Sequence, residues 1–149
     1  MRSGTLLCVV ALAVACAPAE EQPAVETEAA ATLSLADVAG TWTVNGMPES
    51  SDSVIVTYEL VATGTTDGWT ITFPGRDPIP VTVVLVDGDS VVSELGPFES
   101  VLRPGVMVTT RAVSRLQGDL LTGTFMARYA TDAADSVLTG RLQGTRKTQ

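Results

Sequence analysis

From Thr41 onward the chain alternates apolar and polar residues with a period of two. Val54, Val56, Tyr58 and Leu60 fall on one side of a run that carries Ser53, Thr57 and Glu59 on the other. Trp69, Ile71 and Phe73 oppose Thr70 and Thr72, and Leu121, Gly123, Phe125, Ala127 and Tyr129 oppose Thr122, Thr124 and Arg128. Side chains of an extended strand point alternately to its two faces, so each run reads as a strand with one dry and one wet side. The pattern predicts strands at Thr41–Asn45, Ser53–Ala62, Trp69–Phe73, Ile79–Val86, Ser90–Leu95, Phe98–Arg103, Val106–Leu116, Leu120–Ala130 and Ser136–Arg146.

The gaps between these runs are short and carry turn residues. Asp87-Gly88 suits a two-residue hairpin loop, Gln117-Gly118 occupies a similar gap, and Pro104-Gly105 fits the centre of a type II turn. Pro74-Gly75 and Gly96-Pro97 interrupt other strands. Short gaps pair sequential strands antiparallel, and no stretch reads as the crossover helix that a parallel sheet needs. Eight or nine half-apolar strands must close or sandwich to bury their dry side. The expected fold class is therefore all-β, an antiparallel up-and-down meander barrel of eight or nine strands over residues 33–149.

One short helical turn precedes it, from Leu33 to Ala39, with Ser34 as its cap and Gly40 as its stop. Val83–Val86 is apolar on both faces, to be covered by that turn or left as an outer patch. Arg115-Leu116-Gln117-Gly118 recurs as Arg141-Leu142-Gln143-Gly144, which fits repeated barrel geometry or an old duplication.

Before the strands the pattern is different. Arg2 is followed by an unbroken apolar run from Leu6 to Ala15. Ten residues are too few to span a bilayer as a helix but suit the core of a signal peptide, which we assign to residues 1–15. The run ends Leu12-Ala13-Val14-Ala15-Cys16, which resembles the lipobox of bacterial lipoproteins. That resemblance implies acylation of Cys16, cleavage before it and a membrane anchor, the membrane being the first expected partner. Leu more often stands where Ala13 does, and plain cleavage after Ala15 or Ala17 is the rival outcome. Ala17, in place of an Asp, points by the same resemblance to the outer membrane, with the domain facing the periplasm. Residues 16–32 are rich in Ala, Pro, Glu and Thr with Val25 the one large apolar side chain, the composition of an extended tether.

Composition then excludes several functions. The formal net charge is -8. Four of the seventeen acids and one of the nine bases precede Leu33, which leaves the domain with 13 acids against 8 bases. Such a surface repels phosphate backbones over about 8–10 Å, so nucleic acid is not expected as a partner. There is no His, and the two cysteines, Cys8 and Cys16, both belong to the leader region. The domain thus lacks the usual zinc ligands, His-dependent triads and disulfides. No phosphate-cradling glycine loop and no nucleophile–base pair is present. Asp87, Asp89 and Asp119 sit in turns, without the ligand spacing of a calcium loop. The expectation is a non-enzyme with no cofactor and no metal.

Two short motifs add a family likeness. A helical turn runs into Gly40-Thr41-Trp42, and the last strand ends Gly144-Thr145-Arg146. This resembles lipocalin-like barrels, which open on Gly-x-Trp and close with a late Arg packed across that Trp. The resemblance implies that Trp42 and Arg146 meet and close the barrel. It also implies a small apolar or amphipathic ligand inside. Tyr58, Tyr129 and Arg146 are then the inward polar handles for it. Ala112, Gly123, Ala127, Gly140 and Gly144 on the inner face either leave room for that ligand or compensate for Trp42, Trp69, Phe73 and Phe125 in a filled core. A filled barrel would serve instead as a structural or protein-interaction module. On the outer face, Arg111, Arg115 and Arg141 are expected to pair with acids such as Glu94 or Glu99.

Overall fold

A computed structural model describes residues 32–148. The expected signal peptide, Cys16 and all of the expected tether but Thr32 lie outside the described residues. The rest is a closed antiparallel barrel of eight strands in simple sequential order. They are β1 (Gly40–Pro48), β2 (Val56–Ala62), β3 (Trp69–Thr72), β4 (Ile79–Asp87), β5 (Ser90–Glu99), β6 (Met107–Gln117), β7 (Leu120–Tyr129) and β8 (Val137–Arg146), preceded by α1 (Leu35–Val38). Every strand pairs with its neighbour in sequence, and β1 pairs with β8 to close the ring. Closure leaves no open sheet edge.

Two expected strands, Ser90–Leu95 and Phe98–Arg103, are one. Beyond Leu95 the register against β6 shifts, and pairing resumes at Phe98 opposite Val108. Gly96 makes this irregularity possible. Its φ is +108°, and a side chain there would run into the Val108 carbonyl, 2.6 Å from where its Cβ would sit. The strand ends at Glu99, and residues 100–106 form a loop. The two tight hairpins sit one residue later than expected. Asp87 pairs with Ser90 and Gln117 with Leu120, so the loops are Gly88-Asp89 and Gly118-Asp119, each glycine at positive φ.

The helical turn is shorter than the run that suggested it. Ser34 caps it, its side chain accepting from the Ala36 N–H while Asp37 reaches back to the Ser34 N–H. Gly40 opens β1 instead of ending α1. The Leu33 N–H donates to the Gly88 carbonyl at 2.8 Å, which ties the chain's entry to the β4–β5 hairpin. Val83 packs against the core, whereas Val84, Leu85 and Val86 stay exposed, so the outer patch is the outcome there. Val54, expected on the inner face, precedes β2 and is exposed.

The core follows the alternation. Trp42, Val44, Leu60, Trp69, Ile71, Phe125 and Leu142 converge inside the ring. Most of the inner-face glycines are not vacancies. A Cβ at Gly140 would lie 2.5 Å from the Phe125 ring, and one at Gly144 would lie 3.2 Å from both Leu121 and Val44. These glycines accommodate neighbouring side chains. Outside, Arg111 pairs with Glu94, Arg115 with Asp89 at 3.2 Å and Arg141 with Asp52 at 2.6 Å, while Glu99 takes no arginine and accepts from the Gly105 N–H.

Candidate functional site at the open end of the barrel

The up-and-down order gives the barrel two unlike ends. At one end lie α1, the end of β8 and the two tight hairpins. Here Trp42 and Arg146 are register partners on adjacent strands. Arg146 lies over the Trp42 ring, its guanidinium carbon 4.2 Å from the centroid. The guanidinium donates to the carbonyls of Ala39 and Asp37, and the Trp42 indole N–H donates to the Val38 carbonyl at 2.8 Å. Trp42 and Val38 have no exposed surface at all. This end is sealed.

The β2–β3 loop also lies at the sealed end; at the other end are the β1–β2, β3–β4, β5–β6 and β7–β8 loops, and beneath them is a cavity of about 80 Å³. It is lined by aromatic rings (Tyr58, Phe73, Phe98, Phe125 and Tyr129) and by aliphatic side chains of β4, β5, β6 and β8. Tyr58 meets Phe73 edge-on, and Phe73 stacks on Phe98, both with centroids 5.6 Å apart. Ala112 and Ala127 are the small residues that leave this space. Ser93, Ser100 and Thr110 contribute hydroxyls, and among the described residues no charged one lines the cavity.

The loop at 100–106 covers the mouth as a strap. Val101 and Leu102 line the cavity from above, and Leu102 is also 40% exposed, which places it at the rim. Ser100 shapes the strap. Its buried Oγ accepts from the N–H groups of Leu102 at 3.1 Å and Arg103 at 3.0 Å, and its own N–H donates to the Val106 carbonyl at 2.8 Å. Arg76 donates to the carbonyls of Glu99 and Ser100 from the β3–β4 loop. Arg103 reaches Asp135 in the β7–β8 loop at 2.6 Å and lies over the Tyr129 ring, 4.1 Å from its centroid.

Of the three expected ligand handles, the structure brings two together. Tyr58 and Tyr129 both line the cavity. Arg146 does not; it is committed at the sealed end. Neither tyrosine hydroxyl has a hydrogen-bond partner among the described residues. Yet no side-chain polar atom there is both sealed and unpartnered. The two hydroxyls therefore open onto space rather than onto packed side chains. Burial pushes the Tyr58 hydroxyl well above the ordinary tyrosine range, because a phenolate among these rings would lose much of its hydration. Arg76, Ser100 and the strap were not expected. Their signal was present as a serine a few residues before Pro104-Gly105, a turn-capping arrangement hidden in what read as a strand.

A wider depression on the outer surface runs along Thr43, Thr57 and Arg76 and contains the Lys147–Glu59 ion pair. It is open to solvent and also bordered by Tyr58 and Phe73; Lys147 is paired with Glu59, and Arg76 donates to backbone carbonyls. Among the described residues no group of three His, Cys, Asp or Glu could hold a metal ion, and no helix is long and apolar enough to cross a membrane. The chain matches no protein-family profile, no curated protein and no solved structure.

Proposed function

We propose that this is a cell-envelope lipoprotein whose barrel takes up a small apolar or amphipathic molecule at its open end. The observation that carries the reading is the uncharged aromatic cavity beneath the strap, with two unpartnered tyrosine hydroxyls at its wall. Apolar space with a few polar groups is the usual make-up of a small-molecule site. The export leader and Cys16 support an address in the periplasm, at the outer membrane, with the tether holding the barrel off the bilayer. The charge of the domain supports an occupant other than nucleic acid.

Size favours a second reading. A space of about 80 Å³ is about half the size of a cavity of about 150 Å³ that takes up benzene. A barrel filled by its own side chains and acting as a structural or protein-interaction module would look much like this one. The ligand reading therefore requires the strap to give way, which its irregular backbone and half-exposed Leu102 permit. Native mass spectrometry of protein purified from its own host separates the two. An added small apolar mass supports uptake, whereas a bare protein that also ignores hydrophobic dyes leaves the filled barrel. Cys16→Ser should shift the protein from the membrane fraction to the soluble one. Retention on membranes would mean that another element anchors it.

A further inference from the structure

We infer that the molecule this cavity is built to hold is uncharged and carries a hydrogen-bond acceptor, which the Tyr58 hydroxyl takes. The inference rests on the reading of the open end as a ligand site and narrows it to a chemical class.

Charge is the first constraint. Among the described residues the lining contains no Asp, Glu, Lys or Arg. An ionised head drawn inside would lose its water and find no counter-ion, and burial of that kind is costly for either sign. The two guanidiniums that hold the strap are already committed. Arg103 is paired with Asp135 and lies on the Tyr129 ring, and Arg76 donates to the two carbonyls that hold the strap. Recruiting either for an anionic head would break the contacts that close the mouth. The usual amphipath with a carboxylate is therefore a poor fit, although its tail would suit the walls.

Polarity is the second constraint. Tyr58 projects from β2 into an otherwise apolar aromatic cluster with Phe73 and Phe98. Tyr58 borders both the cavity and the solvent-open depression beside Arg76, and its hydroxyl, which is not sealed, meets no acceptor among the described residues. A phenol donates more readily than it accepts, so the complementary group is a carbonyl, ester, ether or alcohol oxygen. The raised pKa of Tyr58 agrees, since the hydroxyl keeps its proton to donate. Volume is the third constraint and favours a short chain or a single small ring, with the strap displaced at Leu102.

Calorimetric titration of the full chain carrying Cys16→Ser tests this with three probes of equal chain length at pH 7: methyl hexanoate, 1-hexanol and hexanoate. The expected result is binding of the ester and the alcohol, hexanoate at least tenfold weaker, and a three- to tenfold loss of ester affinity in Tyr58→Phe. That variant keeps the ring, and its unfolding midpoint, read alongside, shows that the barrel is intact. Hexanoate binding as tightly as the ester, or ester binding unchanged in Tyr58→Phe, overturns this inference while the uptake reading stands. Failure of all three probes overturns both.

Discussion

Both ends of this barrel set an arginine on an aromatic ring, yet the two pairs do different work. Over Trp42 the guanidinium sits 4.2 Å from the centroid, and over Tyr129 it sits 4.1 Å away. The stacking is the same; the surroundings are not. Arg146 spends its donors on the carbonyls of Ala39 and Asp37, and Trp42 spends its N–H on Val38, so α1, β1 and β8 are joined by one satisfied network. Arg103 spends its charge on an exposed aspartate, and the Tyr129 hydroxyl has no partner among the described residues. The first arrangement welds strands to a plug. The second pins a loop across a cavity through contacts that water can replace. Local stability should fall from the sealed end to the open end, as it does where binding segments are drawn from the weakly held parts of a fold.

The largest test of that gradient is Trp42→Ala. The ring is fully buried at the sealed end, and its loss should cost about 3–5 kcal/mol in chemical unfolding. A cost under about 1 kcal/mol would remove Trp42 from the core and the gradient with it. Next comes Arg146→Met, which keeps the aliphatic stem but loses two charge-assisted hydrogen bonds and the stacking. About 2–3 kcal/mol is expected by the same measurement. If the variant unfolds with the wild type, the network at this end is ornamental.

A pH scan of Tyr58→Phe is expected to show a smaller effect. The folded state raises the pKa of this tyrosine above the ordinary value of about 10. Above pH 10 the unfolded chain has released the proton while the folded one still holds it, so stability falls as pH rises, by about 1.4 kcal/mol per pH unit from this residue alone. Tyr58→Phe should be within about 0.5 kcal/mol of wild type at pH 7, because the hydroxyl makes no bond to lose. It should decline less steeply between pH 10 and 11. Parallel alkaline profiles for the two proteins would show that Tyr58 titrates normally, as a solvated group at the rim would.

How much of this was legible differs between the ends for a physical reason. Period-two alternation assigns a residue to a face, so Trp42, Tyr58, Phe125 and Tyr129 could be placed inside from the sequence. It does not assign a height along the barrel axis. Arg146 thus read as a ligand handle beside the tyrosines, although pairing with Trp42 puts it at the opposite end. Small inner residues were ambiguous for a related reason. Gly140 and Ala127 look alike in an alternating pattern, but one receives the Phe125 ring and the other borders empty space. The strap was hidden because Phe98–Arg103 has the composition of a strand. Only the turn centred on Pro104-Gly105, with Ser100 folded under it, takes residues 100–103 out of the sheet.

The smallest expected effect falls at the open end, on Arg103→Met. Its ion pair with Asp135 is largely solvated, and such pairs contribute about 1 kcal/mol or less, so global unfolding should barely change. The strap should change more. The amides of Leu102 and Arg103 are held by the Ser100 side chain, and the Val106 amide by the Arg103 carbonyl, all within the loop that Arg103 fastens to β7 and β8. Hydrogen exchange at Leu102 and Val106 should accelerate severalfold in Arg103→Met and stay at the wild-type rate in Arg146→Met, although the second variant is the less stable protein. Exchange that instead tracks global stability in both would mean that the strap opens only when the whole barrel does. The mouth would then be as sealed as the base, and the asymmetry between the two ends would have no consequence for entry.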